Sequence, residues 1–354
     1  MSISNRQVIS KAAITTDTVT HGLLNPEQAR KFIQQTFEAT TLRPLIRHEM
    51  RTAKTGEIDK IGIASRLLRA KVENTDDGYR ANPKFDRIQY ATTAVRIPWE
   101  ITEETLRENI EQQNFESIVT GLMTTQMGID LEDLDLNGNT AMADAAEFSA
   151  TAAYEAGAYI LNDGVLYQFT AAHAAGAWTG NDVVEVGSEG DAAFLKINDG
   201  WIKQISAGGH VVDRSKVNSG AMSLDVFYST VKAMPNKYNN GKLRWIMSPH
   251  RYQDWVYTLL NSAVSNGGII TDKRIEDPAA IPVVQCAGMP DDKIILTDPK
   301  NLIEVATYGV QIRKTTEGKE AIMQDKRFYV VHFDFDPIIE ELDAAAIITG
   351  LAEI

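Results

Sequence analysis

Asp133, Asp135 and Asn137 alternate ahead of Gly138, and Asp144 stands at the twelfth place counted from Asp133. That order matches the first half of a calcium loop, where alternate oxygens converge on the cation and the glycine makes the sharp turn. The twelfth place, however, calls for a bidentate glutamate, and Thr140 occupies the eighth, where an apolar residue normally packs. Leu134 and Leu136 also continue an apolar stripe that begins upstream, so a helix stopped by Asn137-Gly138 is the preferred reading. His332, Asp334 and Asp336 form a second candidate, because alternate residues of a strand share one face and these three could hold a metal. Val331, Phe333 and Phe335 fill the intervening places, the pattern of an ordinary half-buried strand. Cys286, the one cysteine, lies in an apolar run that suits a buried, inert thiol, and it rules out both an intramolecular disulfide and a multi-cysteine zinc site. The chain has no phosphate-binding G-x-x-x-x-G-K-[ST], no G-x-G-x-x-G after a strand and no G-x-S-x-G elbow. With no nucleophile, base or cofactor nominated, the expectation is a protein that is not an enzyme and carries neither cofactor nor metal.

Charge is distributed in blocks. The net charge is −13, yet the stretch from Glu108 to Leu195 holds 15 acids and no Lys or Arg, which leaves 33 acids against 35 bases elsewhere. Residues Arg51 to Thr92 carry nine bases against six acids. A basic segment followed by an acidic one suits complementary contact between copies of the chain. With 44% apolar residues, two domains of ordinary size can be buried. The start MSISNRQVIS has no apolar core of an export signal, and no run approaches the roughly 20 residues of a membrane span. A reducing cytosol is the expected place of synthesis.

The elements follow from periodicity. Residues 1–25 read as a polar, extended arm. Asn25-Pro26-Glu27 then opens a helix whose stripe is Phe32, Ile33 and Phe37, and a strand is expected to begin in Leu42 to Ile46. IDKIGIASRLLRAKV and IQYATTAVRIPWEI read as the strands of a long hairpin, marginal in isolation and needing a neighbour to lie on. Thr102 caps a short helix. Asn114 opens a longer one with Phe115, Ile118, Val119, Leu122, Met127, Leu131 and Leu134, ended by Gly138. Tyr159 to Thr170 reads as a β-hairpin turning at Asn162-Asp163-Gly164, inside a small β unit bounded by residues rich in Ala and Gly. Helices after Ser223 and Ser248 alternate with strands LRWIM, IPVVQC, KIILT, LIEVAT, VQIRKT, FYVVHFDF and AIITG, so the class is α+β.

This order of parts resembles the major capsid protein of tailed double-stranded-DNA bacteriophages, a fold shared with encapsulins and the herpesvirus capsid floor. The resemblance is carried in sequence by NPEQARKFIQQTFEATTLRPLIR, IPWEITEETLREN, FESIVTGLMTTQMGIDLEDLDLNG, FLKINDGWIKQI, WIMSPHRYQDW and IPVVQCAGMPDDKIILTDPKNLIEVATYGVQIRKT. It implies an N-terminal arm at 1–25, an N-terminal helix and strand at 26–50, an extended loop at 51–98 and the spine-helix region of a peripheral domain at 99–140. An inserted β module at 141–187 and a return to the core at 188–204 would follow, then an axial domain at 205–300 and returning strands at 301–354. The implied function is self-assembly through pentamers and hexamers into an icosahedral head around double-stranded DNA, made in the host cytoplasm and helped by a separate scaffolding protein and a portal. The expected contacts between copies set Arg66, Arg69 and Lys71 of the loop against Glu111, Glu116, Asp130 and Glu132 of the spine. Through Tyr154-x-x-Gly157-x-Tyr159, Asn162-Asp163-Gly164, Leu166-Tyr167 and Trp178 the β unit looks like small chitin-binding-type modules, and the resemblance implies Tyr159, Tyr167 and Trp178 as the candidate glycan contacts. It is read first as an exterior decoration or subunit contact. A carbohydrate-binding protein acting through 154–186 and an encapsulin-like cargo compartment are the alternatives.

Overall fold

The period-two run from Ile88 to Ile101 divides at Thr92 and serves two different sheets, a division the sequence does not announce. The structure, a computed structural model, describes residues 40–62, 67–68, 70, 73, 78, 80, 82–108, 113–215, 217, 220–265 and 277–352. The expected arm, the expected helix over Phe32 to Phe37, and Arg66, Arg69, Lys71 and Glu111 therefore lie outside the described residues.

The chain enters through a turn at 41–46, where a strand had been expected, and the strand follows it as β1 (Arg47–Met50). Next, β2 (Thr55–Gly62) and β3 (Lys84–Ala91) pair, among the described residues, only with each other, Thr55 opposite Ala91 and Gly62 opposite Lys84. They form a two-stranded ribbon. At its base the Tyr90 ring lies so close to Gly56 that a Cβ there would come within 2.7 Å of the phenol oxygen, so this place requires glycine. Thr92 closes the ribbon by donating its backbone N–H to Lys54 O at 2.8 Å. Beyond it β4 (Thr93–Thr102) turns away to join the body.

Two long strands, β13 (Leu302–Thr315) and β14 (Lys326–Ile339), centre the first sheet, in the order β1-β13-β14-β4. LIEVAT and VQIRKT thus merge into one strand, with register shifts at Ala306, Tyr308 and Gln311. After α1 (Glu103–Glu108), helix α2 (Gln113–Asn137) covers one face of this sheet. Trp99, Ile101, Tyr329, Val331, Phe333 and Phe335, all on odd-numbered positions, pack against Phe115, Val119, Met127, Leu131 and Leu134. Gly138 ends the helix as expected, because a Cβ there would lie 2.6–2.7 Å from Asn198 and Leu134 O.

A second sheet is layered between helices. Its strands β9 (His210–Asp213), β10 (Arg244–Met247), β11 (Val283–Gln285), β12 (Ile294–Thr297) and β15 (Ala345–Thr349) run in the order β11-β10-β12-β15-β9. The central strands β10, β12 and β15 are covered on both faces and read as continuous apolar runs, while the edge strand β9 keeps one face exposed. On one face α4 (Trp201–Gly208) sets Trp201, Ile202 and Ile205 against Ile246, Ile295 and Ile347. On the other, α5 (Leu224–Ala233) and α6 (Pro249–Ser265) bring Phe227 and Trp255 onto Trp245, Leu296 and Ile348. The remaining strands β5 (Ala146–Glu147), β6 (Tyr159–Asn162), β7 (Val165–Phe169) and β8 (Val183–Ser188) make a small separate sheet in that order, returned to the body by α3 (Glu189–Leu195). The short helix α7 (Lys319–Gln324) connects β13 to β14.

Candidate functional site

The ribbon is two-faced. Ile58, Ile88 and Tyr90 point toward the chain's own body and pack on Ile303, Val305 and Ile338. Ile61 and Phe85 sit directly opposite one another on the reverse face, each 69% exposed. The ribbon's described cations are held by its own chain: Lys60 by Glu341 at 2.5 Å, Arg87 by Glu57 at 2.8 Å and Lys54 by Asp334 at 3.1 Å. Asp336, which accepts the Ala91 N–H at 2.8 Å, is pushed up to about 6 by burial.

The acids expected to meet a neighbour's loop have different environments. Glu116 is gripped inside the chain by Lys314 at 2.6 Å and Arg327 at 2.7 Å. Burial opposes its charge, but hydrogen bonds from Lys314 and Tyr329 and the two nearby cations outweigh this and hold its carboxyl below the usual range. Glu132 is only 5% exposed. It accepts the backbone N–H of Leu42 at 3.2 Å and of Arg43 at 3.3 Å, and the Cys286 thiol at 3.0 Å. A carboxylate so enclosed serves its own protomer rather than a neighbour. Asp130 is half-buried, accepts a 2.8 Å hydrogen bond from Gln126, and has its carboxyl raised by burial.

Around Glu132 lies a cluster that sequence reasoning missed. Arg43 reaches Asp135 at 3.0 Å and Glu304 at 2.6 Å, and His48 lies 3.5 Å from Glu304. Asp135 is fully buried, and burial first, then the neighbouring Glu304 charge, lift its carboxyl well above the usual range despite Arg43. Glu304 stays below the usual range because His48 and Arg43 outweigh its burial, and His48 is raised chiefly by its hydrogen bond to Glu304. Cys286 has its thiol pushed far up by burial and by Glu132, the inert state expected of it. The turn at 41–46 is thereby clasped onto α2, β13 and the end of β11. A faint signal existed in Glu132 and Asp135, two acids three places apart inside an apolar helical stripe.

The calcium-loop reading is excluded by geometry. Asp133, Asp135 and Asn137 are all helical, Asp135 is engaged by Arg43, and Asn137 donates to Asp133 at 2.6 Å and to Gly288 O at 2.7 Å. His332, Asp334 and Asp336 do alternate on β14 with Val331, Phe333 and Phe335 facing the core, but Asp334 is paired with Lys54 and Asp336 with the Ala91 N–H. Among the described residues no group of three or more His, Cys, Asp or Glu is arranged to hold a metal.

In the small sheet, Asp163 and Gly164 take φ of 52° and 77°, the left-handed pair that the hairpin turn required. Its rings face each other. Trp178 lies 5.2 Å edge-on from Phe148 and 4.9 Å from Tyr167, and Tyr154 stacks on Phe169 at 4.9 Å. Tyr159 turns toward the body, where its hydroxyl accepts from Asn139 at 2.9 Å. Asn139 also caps the 3-10 turn Thr140–Asp144, so this contact ties the small sheet to the end of α2. The three aromatic residues singled out from the sequence therefore hold the unit together and to the body.

A clasped entry turn, a ribbon with an open apolar face, a long helix across a four-stranded sheet and a second, helix-covered sheet make a mixed helix-and-sheet fold that matches phage capsid folds. The chain is similar along nearly its whole length to prophage capsid protein YqbE of Bacillus subtilis (strain 168), at 24% identity covering 99% of each chain. Among solved structures it is similar to a chain of the satellite phage P4 procapsid that includes the size-determination protein Sid, with TM-score 0.54, 13% identity and 96% and 100% of the two chains covered. It is also similar to the capsid of the empty GTA particle (TM-score 0.56, 9% identity, 96% and 99% covered) and to the SrpI encapsulin of Synechococcus elongatus PCC 7942 (TM-score 0.52, 10% identity, 96% of each chain). No family model matches the sequence. These relatives are structural proteins rather than enzymes, and among the described residues no helix is long and apolar enough to cross a membrane.

Proposed function

We propose that this chain is the major capsid protein of a bacteriophage, assembling through pentamers and hexamers into an icosahedral shell around double-stranded DNA. The observation that carries the proposal is the ribbon's second face. Ile61 and Phe85 are directly opposed across the two strands, turned away from the chain's own core and open to solvent. An apolar cross-strand pair on a two-stranded ribbon gains stability only when something covers it. Together with the capsid fold, a sister copy is the natural cover.

On this reading the loop cations Arg66, Arg69 and Lys71 lie across a neighbour and set register, while apolar burial supplies most of the cohesion, since exposed ion pairs contribute only about 0.2–1 kcal/mol each. Their acidic partners are better sought in Asp130 and in the exposed acids of the small sheet, Glu147, Asp163 and Glu185, than in Glu116 or Glu132. The small sheet would sit on the shell exterior or at a subunit contact, and scaffolding and portal proteins would assist assembly. Deleting residues 60–90 should leave a soluble, folded chain that forms no shells by negative-stain microscopy. Normal shells from that deletion would remove the basis of the proposal. The likeness to an encapsulin favours one second reading, a cargo compartment. Both predict megadalton particles, and analysis of their contents, nucleic acid or protein, separates them.

A further inference from the structure

The cluster that seats the entry turn holds more acid than it can neutralise. Arg43 Nη1 lies 3.0 Å from Asp135 and 2.6 Å from Glu304, so a single guanidinium nitrogen serves both buried carboxyls, with Glu132 buried beside them. Glu132 accepts the N–H groups of Leu42 and Arg43 and the Cys286 thiol, three bonds that suit a carboxylate. Asp135 is served less well: its Oδ1 is buried and meets no donor among the described residues. Three ionised carboxyls set against Arg43 and, at most, His48 leave a buried negative charge, which a proton on the least-served carboxyl removes. The other charged groups about the turn lie at its end. His48 of β1 stands opposite Glu304 in the strand register and 3.5 Å from it, Lys300 donates to Ile46 O at 2.9 Å, and Arg47 pairs with Glu340 at 2.6 Å and Glu49 at 2.8 Å.

We infer that this cluster is a proton-held latch: the entry turn at 41–46 stays seated on α2 and β13 while Asp135 keeps its proton, and swings off α2 when that proton is lost, leaving β1 in place. The hinge falls between Ile46 and Arg47. Beyond it β1 is held independently, by its ladder to β13 and by the Arg47 pairs, whereas the turn's polar ties run to Glu132, Asp135, Glu304 and, through the Thr41 hydroxyl, Gln285 O. Leu42 and Ile46 are buried in one core with Trp201 and Cys286 and oppose opening, so the open form is a minor population that pH adjusts. Burial and the Glu304 charge lift the Asp135 carboxyl, so opening releases a proton and the open population rises about tenfold per pH unit from the ordinary aspartate range up to the folded value. His48, raised chiefly by its hydrogen bond to Glu304, adds the same sign above about 6.5, while the lowered Glu304 acts only at the acidic end. Opening uncovers Cys286, which lies with Glu132 beneath the turn.

The latch is read within one chain and stands apart from the shell proposal. In the full-length protein, hydrogen exchange is followed from about pH 5 to about pH 8 at the amides of Leu42, Arg43, Leu45 and Ile46, which bond to Glu132 or to Leu42 O. With the intrinsic pH dependence of exchange removed, their protection should fall by about tenfold per pH unit and stay well below that of β12 and β15 at each pH, the mark of local rather than global opening. Cys286, the one cysteine, supplies a second readout without substitution: its rate of alkylation by iodoacetamide, corrected for the thiolate fraction of a free thiol, should rise in parallel. Asp135→Asn can still donate to Glu304 but cannot ionise. It should hold both rates at their slow values below about pH 6.5, leaving only the His48 slope above. Turn amides that exchange as slowly as β12 and β15, rates that ignore pH in the unaltered chain, or a full slope surviving in Asp135→Asn would each overturn the latch. Should Asp135→Asn fail to fold, the two readouts on the unaltered chain decide by themselves.

Discussion

The ribbon and the clasp invert the usual distribution of residue types. On the ribbon, Ile61 and Phe85 are exposed and the described charges are paired along the surface. In the clasp, Glu132, Asp135 and Glu304 are buried around Arg43, with His48 at the edge. Burying ionised groups costs several kcal/mol each unless partners and hydrogen bonds compensate, so the clasp contributes a defined geometry more than net stability. Exposing apolar side chains has the opposite meaning, since such surface is stable only when covered. One region is complete within the chain, and the other leaves an apolar cross-strand pair open to solvent.

The largest effect that would sharpen this contrast is on the ribbon. Ile61→Asp with Phe85→Asp should abolish particles by negative-stain microscopy while the circular-dichroism spectrum and melting of the unassembled chain stay unchanged. Particles of normal yield would break the comparison. In the clasp, Arg43→Met should lower unfolding stability in urea by about 3–5 kcal/mol, because it strands the buried Glu304 and Asp135. Adding Glu304→Gln should restore a large part of that loss, and strict additivity of the two changes would show that the residues do not interact.

The clasp should also shape the pH dependence. Glu304 has a lowered folded value, so its contribution is present above the ordinary glutamate range and is lost as pH falls through the folded value. His48 has a raised value, so its contribution is full below about 6.5 and is lost as pH rises through its folded value. Asp135, also raised, favours its neutral form and adds a growing cost as pH rises from the ordinary aspartate range. The three signs agree on greatest stability at mildly acidic pH. His48→Gln should flatten the alkaline side of a urea-midpoint profile and leave the acidic side in place.

Smaller effects separate the remaining parts. Trp178→Ala, which removes the ring between Phe148 and Tyr167, should loosen the small sheet by about 2 kcal/mol, seen as faster exchange at 159–169, and leave the rest of the chain protected. Arg87→Ala on the ribbon surface should change stability by less than about 1 kcal/mol, since its pairs with Glu57 and Asp59 are exposed.

Local signals were read from the sequence where short-range physics governs them. Asn137-Gly138 ends α2, Asp163-Gly164 turns the hairpin, and the apolar runs around Trp245, Ile295 and Ile347 become strands covered on both faces. Periodicity cannot say which strand is the partner, however, so the run from Ile88 to Ile101 read as one strand of the hairpin although Thr92 divides it between two sheets. Composition likewise marked the acidic block without separating acids that face solvent from those turned inward. Glu116 and Glu132 were expected at a contact between copies, and the structure pairs the first with Lys314 and Arg327 and buries the second.

Element type, turn chemistry and the succession of parts were determined by the sequence itself, because they depend on neighbours within a few residues. Strand pairing and the state of each buried charge were decided only by the tertiary structure. Arg43, Glu132, Cys286 and Glu304 are far apart along the chain, and only folding removes the water that would otherwise make their placement nearly indifferent.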